Sequence, residues 1–123
     1  MSKYSKVMPE DLEHLKTQFG ETYRFIKDSS VVLDVGCSTG YYGSLLKKDK
    51  KCIVYGIDIN KKDLEKAKRK LDKVYYVNLE EGTLPRGIIN KKFDTIFLGD
   101  VIEHLKYPAS ALKVFRDLLA DDG

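Results

Sequence analysis

The run Val31-Val32-Leu33-Asp34-Val35 leads into Gly36-Cys37-Ser38-Thr39-Gly40, an acid followed by a turn bounded by glycines. Gly36 and Gly40 let the backbone turn sharply and approach a ligand with no Cβ in the way. A helix starting near Tyr41 would point its unpaired N–H groups into the same space, which suits a nucleotide-type ligand. Other polar residues close apolar runs in the same way. Asp58 ends Cys52-Ile53-Val54-Tyr55-Gly56-Ile57, Asn78 ends Val74-Tyr75-Tyr76-Val77, and Gly99 follows Phe93-Asp94-Thr95-Ile96-Phe97-Leu98. Next come Asp100, Glu103 and His104. Two carboxylates and an imidazole are reasonable ligands for a divalent ion. His104 alone could act as a general base, because imidazole titrates near neutral pH.

These residues need elements to hold them, and the pattern supplies alternating strands and helices. Short β-branched and aromatic runs at 31–35, 52–58, 74–78 and 93–98 read as strands. Between and around them, apolar residues recur at helical spacing. Leu12, Leu15, Phe19, Tyr23 and Ile26 mark a helix over 9–27, opened by Pro9. Tyr42, Leu45 and Leu46 mark a second helix, and Leu64, Ala67 and Leu71 a third over 61–71. Pro108 opens the last, whose core face is Ala111, Leu112, Phe115, Leu118 and Leu119 and whose end is Asp121-Asp122-Gly123. From Leu79 to Lys92 the signal is poor, interrupted by Gly82, Pro85 and Gly87.

Strands alternating with helices predict an α/β fold with a parallel sheet. Ligands of such sheets bind outside the carboxyl ends of the strands. Asp34, Gly36, Asp58, Asn78 and Gly99 all fall at such ends and would line one crevice. Three of them also have a plainer reading. Asp34 and Asp58 could cap helix N-termini, and Asn78 could simply form a turn.

The glycine loop admits two ligands. As Ser38-x-Gly40-x-x-Gly43 it approaches the dinucleotide fingerprint, with Ser in place of the first glycine. As Asp34-x-Gly36-x-Ser38-x-Gly40 it resembles the first motif of the class I S-adenosylmethionine-dependent methyltransferases. Gly56-Ile57-Asp58-Ile59-Asn60 is similar to that family's second motif, and residues 93–105 resemble its fourth strand and following loop.

The resemblance implies a Rossmann-like three-layer sandwich with strand order 3-2-1-4. It implies that Asp34, Gly36, Cys37, Ser38 and Gly40 form the methionine side of an S-adenosylmethionine site. Asp58 and Ile59 would clamp the ribose, Asn78 and Leu79 would border adenine, and Leu98, Gly99 and Asp100 would close the methyl-donating side. His104 and Asp100 would face the acceptor. The Asp100-x-x-Glu103-His104 cluster resembles one that holds a divalent metal in some relatives. No metal is expected here, because a six-coordinate site is not easily completed from these three residues. A small-molecule or glycan-precursor acceptor is expected, with S-adenosylhomocysteine as product. A non-catalytic cofactor-binding module and a nicotinamide-dinucleotide domain are the alternatives.

Composition bounds the rest. Apolar content of 42% with 33% charged residues fits one globular domain over 1–123, its core at 31–123. The charge of +3 is too small an excess to call for a nucleic-acid partner. The lysines at 47–51 and 61–73 read as solvated helix faces, or else as a docking surface for an acidic substrate. No apolar run approaches the roughly 20 residues of a membrane span, and no secretory leader is evident, so a cytoplasmic location is expected. Cys37 and Cys52 are expected to be free thiols, set at opposite strand ends. The family's sheet carries three further strands. The expectation is therefore a domain truncated at its C-terminus, with the fourth strand as an open edge prone to self-association.

Overall fold

The computed structural model of the protein describes residues 20–98, 101 and 104–121. The helix expected over 9–27 is described only at its end, as α1, Gly20–Phe25. Gly99, Asp100 and Glu103, and the expected helix terminator at Asp122 and Gly123, lie outside the described residues.

Strands β1 (Val31–Val35), β2 (Ile53–Asp58), β3 (Lys73–Tyr76) and β4 (Thr95–Phe97) form one sheet in the order β3-β2-β1-β4. All its ladders are parallel: Val31 lies opposite Ile53, Val32 opposite Thr95 and Tyr55 opposite Lys73. Side chains alternate across a strand, so each strand supplies both faces of the sheet. Val32 and Val54 pack on one side with Leu45 and Leu46 of α2 (Tyr41–Lys50) and with Leu64 and Ala67 of α3 (Lys61–Ala67). Leu33, Val35 and Ile57 pack on the other with Ile88 of α4 (Arg86–Ile89) and Phe115 of α5 (Pro108–Arg116). Helices thus cover both faces of the sheet, giving the three layers and the strand order expected. A central strand buried on both faces must be apolar nearly throughout, which makes Asp34 within β1 conspicuous. Among the described residues no helix is long and apolar enough to cross a membrane.

Several boundaries differ from the sequence reading, each for a local reason. Helix α3 stops at Ala67 rather than running to Leu71. There the chain tightens, with Arg69 N–H bonding the Lys66 carbonyl and Lys70 N–H that of Ala67. Strand β3 ends at Tyr76, because Asn78 turns away to cap a 3₁₀ turn over Leu79–Glu81. Strand β4 is shorter than the expected 93–98, since the Asp94 carboxylate accepts the Val31 N–H at 2.8 Å beside the ladder.

The last helix ends at Arg116, and Leu112 is 45% exposed rather than in the core. The inward line runs through Ala111, Phe115 and Leu118, four and then three residues apart. Leu112 stands about 100° round the helix from Ala111, away from that line. Leu119 leaves the helix and forms a parallel bridge with Phe93, whose N–H bonds the Leu118 carbonyl at 2.9 Å. The edge expected to be open from Phe93 is therefore covered at its start by the chain's own last segment.

Candidate functional site

The loop after β1 is bound to the end of β2 by its backbone. Gly36 N–H and Cys37 N–H both donate to the Ile57 carbonyl, at 2.8 and 3.0 Å. Asp58 completes the knot. One carboxylate oxygen accepts the Ser38 N–H at 2.7 Å and the other the Asn60 N–H at 2.8 Å. Asn60 in turn caps α3, its side-chain oxygen accepting the Asp63 N–H at 3.0 Å. Both oxygens of Asp58 thus have a structural duty, yet a carboxylate offers about four acceptor positions. Two remain for a ligand's donors.

Gly36, Ser38 and Gly40 have left-handed backbones, with φ of 80°, 57° and 84°. At Gly36 a Cβ would also lie 2.1 Å from Cγ2 of Val101, so the chain beyond β4 closes directly over this turn. Gly36→Ala is expected to cost about 1–2 kcal/mol from the backbone conformation alone. Urea unfolding reads this as a lower midpoint; an unchanged midpoint would mean that the turn does not hold this shape.

A cavity of about 270 Å³ opens outside the carboxyl ends of β1, β2 and β3, with residues beyond β4 as its far wall. Gly36, Asp58, Ile59, Asn78, Leu79 and His104 all line it, as the sequence reading expects of one crevice. The other expected residues that the structure describes do not. Asp34 is 2% exposed within β1, Ser38 is fully buried, and Cys37 is buried in the core. An added Cβ on Gly56 would meet the Cys37 sulfur at 2.7 Å, so this thiol faces the sheet rather than the cavity. Gly40 packs on α3, where a Cβ would lie 3.2 Å from Ala67 Cα, and Leu98 packs into the second core cluster. Both cysteines are free and buried. Gly99 and Asp100 fall outside the described residues, as does Glu103 of the candidate metal cluster.

Sequence reasoning missed several lining residues. Val35, Ile57 and Val77 are the strand-end apolar residues next in sequence to the polar ones it chose, and Val101 and Leu105 supply the opposite wall. Glu80 also lines the cavity and accepts the Lys106 N–H at 3.1 Å, across 26 residues. Its place was legible in part, since Asn78 two residues before it signals an Asx turn. That turn forms: Asn78 Oδ1 accepts the Glu80 N–H at 3.0 Å.

The electrostatics favour a particular ligand. Asp58 and Glu80 line the cavity, and among its described lining residues there is no lysine or arginine. A pyrophosphate would meet two carboxylates and no lysine or arginine among the described lining residues, whereas a cation or a pair of hydroxyl donors would be well received. Asp34 adds to this. Burial first, and the Asp58 charge second, push its carboxyl up to about 7. Burial likewise pushes the Cys37 thiol well above its ordinary value, so it is no nucleophile. A second opening of about 520 Å³ lies at the other end of the sheet, beside Ser30 and Asp94. That end holds no glycine loop, and open parallel sheets bind ligands at the carboxyl ends of their strands.

Comparison with known proteins agrees with this arrangement. A family model described as a methyltransferase domain matches residues 33–123. The chain is 33% identical over 103 residues to an (S)-coclaurine N-methyltransferase of Papaver somniferum, covering 80% of this chain and 29% of that one. It is 38% identical over 94 residues to a probable cobalt-precorrin-6B C(15)-methyltransferase (decarboxylating) of Saccharolobus solfataricus, covering 70% and 47%. Its fold superposes on the crystal structure of a coclaurine N-methyltransferase bound to N-methylheliamine and S-adenosylhomocysteine. The TM-score is 0.75 at 19% identity, over 100% of this chain and 37% of that one. The chain thus spans less than half the length of each of these proteins.

Proposed function

This chain belongs to the methyltransferase domain family, and on that premise we propose that it binds S-adenosylmethionine and serves methyl transfer to a small-molecule acceptor. The observation that carries the reading is the cavity itself: a glycine turn and two carboxylates, with no lysine or arginine among its described lining residues. Bound there, S-adenosylmethionine supplies an electrophilic methyl group on a cationic sulfur. The rest falls to the protein's residues.

Asp58 takes the ribose hydroxyls with the acceptor positions that Ser38 and Asn60 leave unused, and Ile59 packs beside it. Leu79 and Asn78 border the adenine. Because Asn78 Oδ1 already holds the Glu80 N–H, its second lone pair is what remains for an adenine donor. The Gly36–Gly40 backbone approaches the methionine portion, while the side chains of Cys37 and Ser38 point into the protein and act only by shaping the loop. Asp34, buried in β1 next to the lining residue Val35, would supply negative charge to the methionine end when ionised, above about pH 7. His104, which lines the same cavity, receives the acceptor's proton. Leu98, Gly99 and Asp100 complete the side from which the methyl leaves. Much of catalysis is then alignment of acceptor and methyl in a site that excludes water.

The proposed unit is a single domain. Among the described residues β3 and β4 are the sheet's two edges; self-association would run through Thr95–Phe97 of β4, since Phe93 is already paired.

Thermal shift distinguishes the ligand classes. S-adenosylhomocysteine at 100 times its Kd should add about 2.7 kcal/mol of stability, raising the midpoint by several degrees, while NAD should add nothing. Stabilisation by NAD alone would overturn the reading in favour of a dinucleotide domain.

A further inference from the structure

Four hydrogen bonds close a ring at the root of the site. Asp58 accepts the Ser38 N–H at 2.7 Å and the Asn60 N–H at 2.8 Å. The Asn60 side chain accepts the Asp63 N–H at 3.0 Å, and the Ser38 hydroxyl donates to the Asp63 carboxylate at 3.4 Å. This last bond is the longest of the four, but both its residues are buried, where leaving a polar group unmatched costs most. Asp63 is the one member of the ring that sequence reasoning did not single out. An acid in the first turn of a helix ordinarily faces solvent and complements the dipole. Asp63, in the first turn of α3, is instead 7% exposed and faces the fully buried Ser38. Ser38 is also the strained member, since its φ of 57° is a left-handed conformation that residues other than glycine seldom adopt. Two bonds hold it there, its N–H to Asp58 and its hydroxyl to Asp63.

We propose that Asp63 is a positioning residue for ribose recognition. By taking the Ser38 hydroxyl it keeps this residue left-handed and its N–H on Asp58, and so fixes the side of the Asp58 carboxylate that is offered to the ribose hydroxyls. Asp63 does not itself line the cavity and acts only through Ser38 and Asp58. This rests on the cofactor reading above, in which Asp58 takes those hydroxyls.

The experiment is calorimetric titration of the 123-residue protein with S-adenosylhomocysteine and with its 2′-deoxy analogue. Wild type should bind the parent compound at least about tenfold more tightly, the effect of one hydrogen bond to a charged group. Asp63→Ala should bring the two ligands to within about threefold of each other, the smaller effect of a poorly aimed bond. Ser38→Ala removes the same bond from its other end and should do likewise, which keeps the test available if Asp63→Ala unfolds. Asp63→Asn retains an acceptor oxygen and should discriminate as wild type does. Adding Ser38→Gly to Asp63→Ala should restore the preference, because glycine holds a left-handed backbone without help. A merely structural role for Asp63 would weaken both ligands together and leave their ratio unmoved, which would overturn the proposal. So would a lost preference that Ser38→Gly does not restore, since Asp63 would then act by another route. Wild type that binds S-adenosylhomocysteine but does not distinguish the deoxy analogue would remove the ribose role of Asp58, and failure to bind at all would overturn the cofactor reading. Either of these takes the proposal with it.

Discussion

Asp34→Asn is expected to abolish most of the loss of stability that the ligand-free protein suffers between pH 4 and pH 7. The carboxyl of Asp34 is pushed up to about 7 by burial, with the Asp58 charge adding to it. Between the unfolded value of 3.8 and that figure, the folded state holds a proton that the unfolded state has released. Stability therefore falls as pH rises through this window and is greatest below it. A shift of about 3 units corresponds to at most about 4 kcal/mol. The asparagine carries no such proton, so its stability should be nearly flat over the same range. Replacing a buried carboxyl by an amide changes stability at every pH, so the slope within each protein is the readout rather than the difference at one pH. Urea midpoints at pH 4, 5.5, 7 and 8 measure it. A wild-type profile as flat as the variant's would mean that Asp34 ionises without penalty. On the proposed reading the same substitution should weaken S-adenosylhomocysteine at pH 8, where the ionised Asp34 would contribute negative charge next to the lining residue Val35. Stability and binding would then move in opposite directions, as expected of a strained site.

Asp58→Ala should weaken S-adenosylhomocysteine by roughly 1.5–3 kcal/mol, the range for losing hydrogen bonds to a charged group. Two effects converge there. The ligand loses its hydroxyl acceptor, and the Ser38 and Asn60 N–H groups lose the carboxylate that ties the two loops together. Asp58→Asn keeps one acceptor oxygen and should fall between alanine and wild type. Calorimetry gives the affinities, and the unfolding midpoint separates loop loosening from lost ligand contact. Affinity unchanged in Asp58→Ala would remove the ribose role.

How far the sequence reaches depends on the range of the force involved. Strands β1 and β2 were legible because a β-branched run ending in an acid and a glycine is a local signal, and their ends assembled the expected crevice. In the sequence Asn78 reads equally as a turn former and as a ligand contact. It forms the turn and also lines the cavity, so that choice was not exclusive. Cys37 lies in the loop but points into the core, because residues on a tight turn alternate direction in ways that spacing does not reveal. Leu112 fits a helical stripe in sequence, yet the sheet accepts only the line through Ala111, Phe115 and Leu118. Strand β4 is shortened by the bond from Val31 to Asp94, across 63 residues. The contact of Glu80 with the Lys106 N–H likewise spans 26 residues. Long-range bonds of this kind leave no periodic trace.

Amide chemical-shift mapping of the protein on titration with S-adenosylhomocysteine tests the central claim most directly, because it reports both binding and place. Saturable shifts are expected at Gly36, Ser38, Ile59 and Leu79, around the cavity at the carboxyl ends of the strands. Shifts absent from these residues, or confined to the opening beside Ser30 and Asp94 at the opposite end of the sheet, would contradict the account.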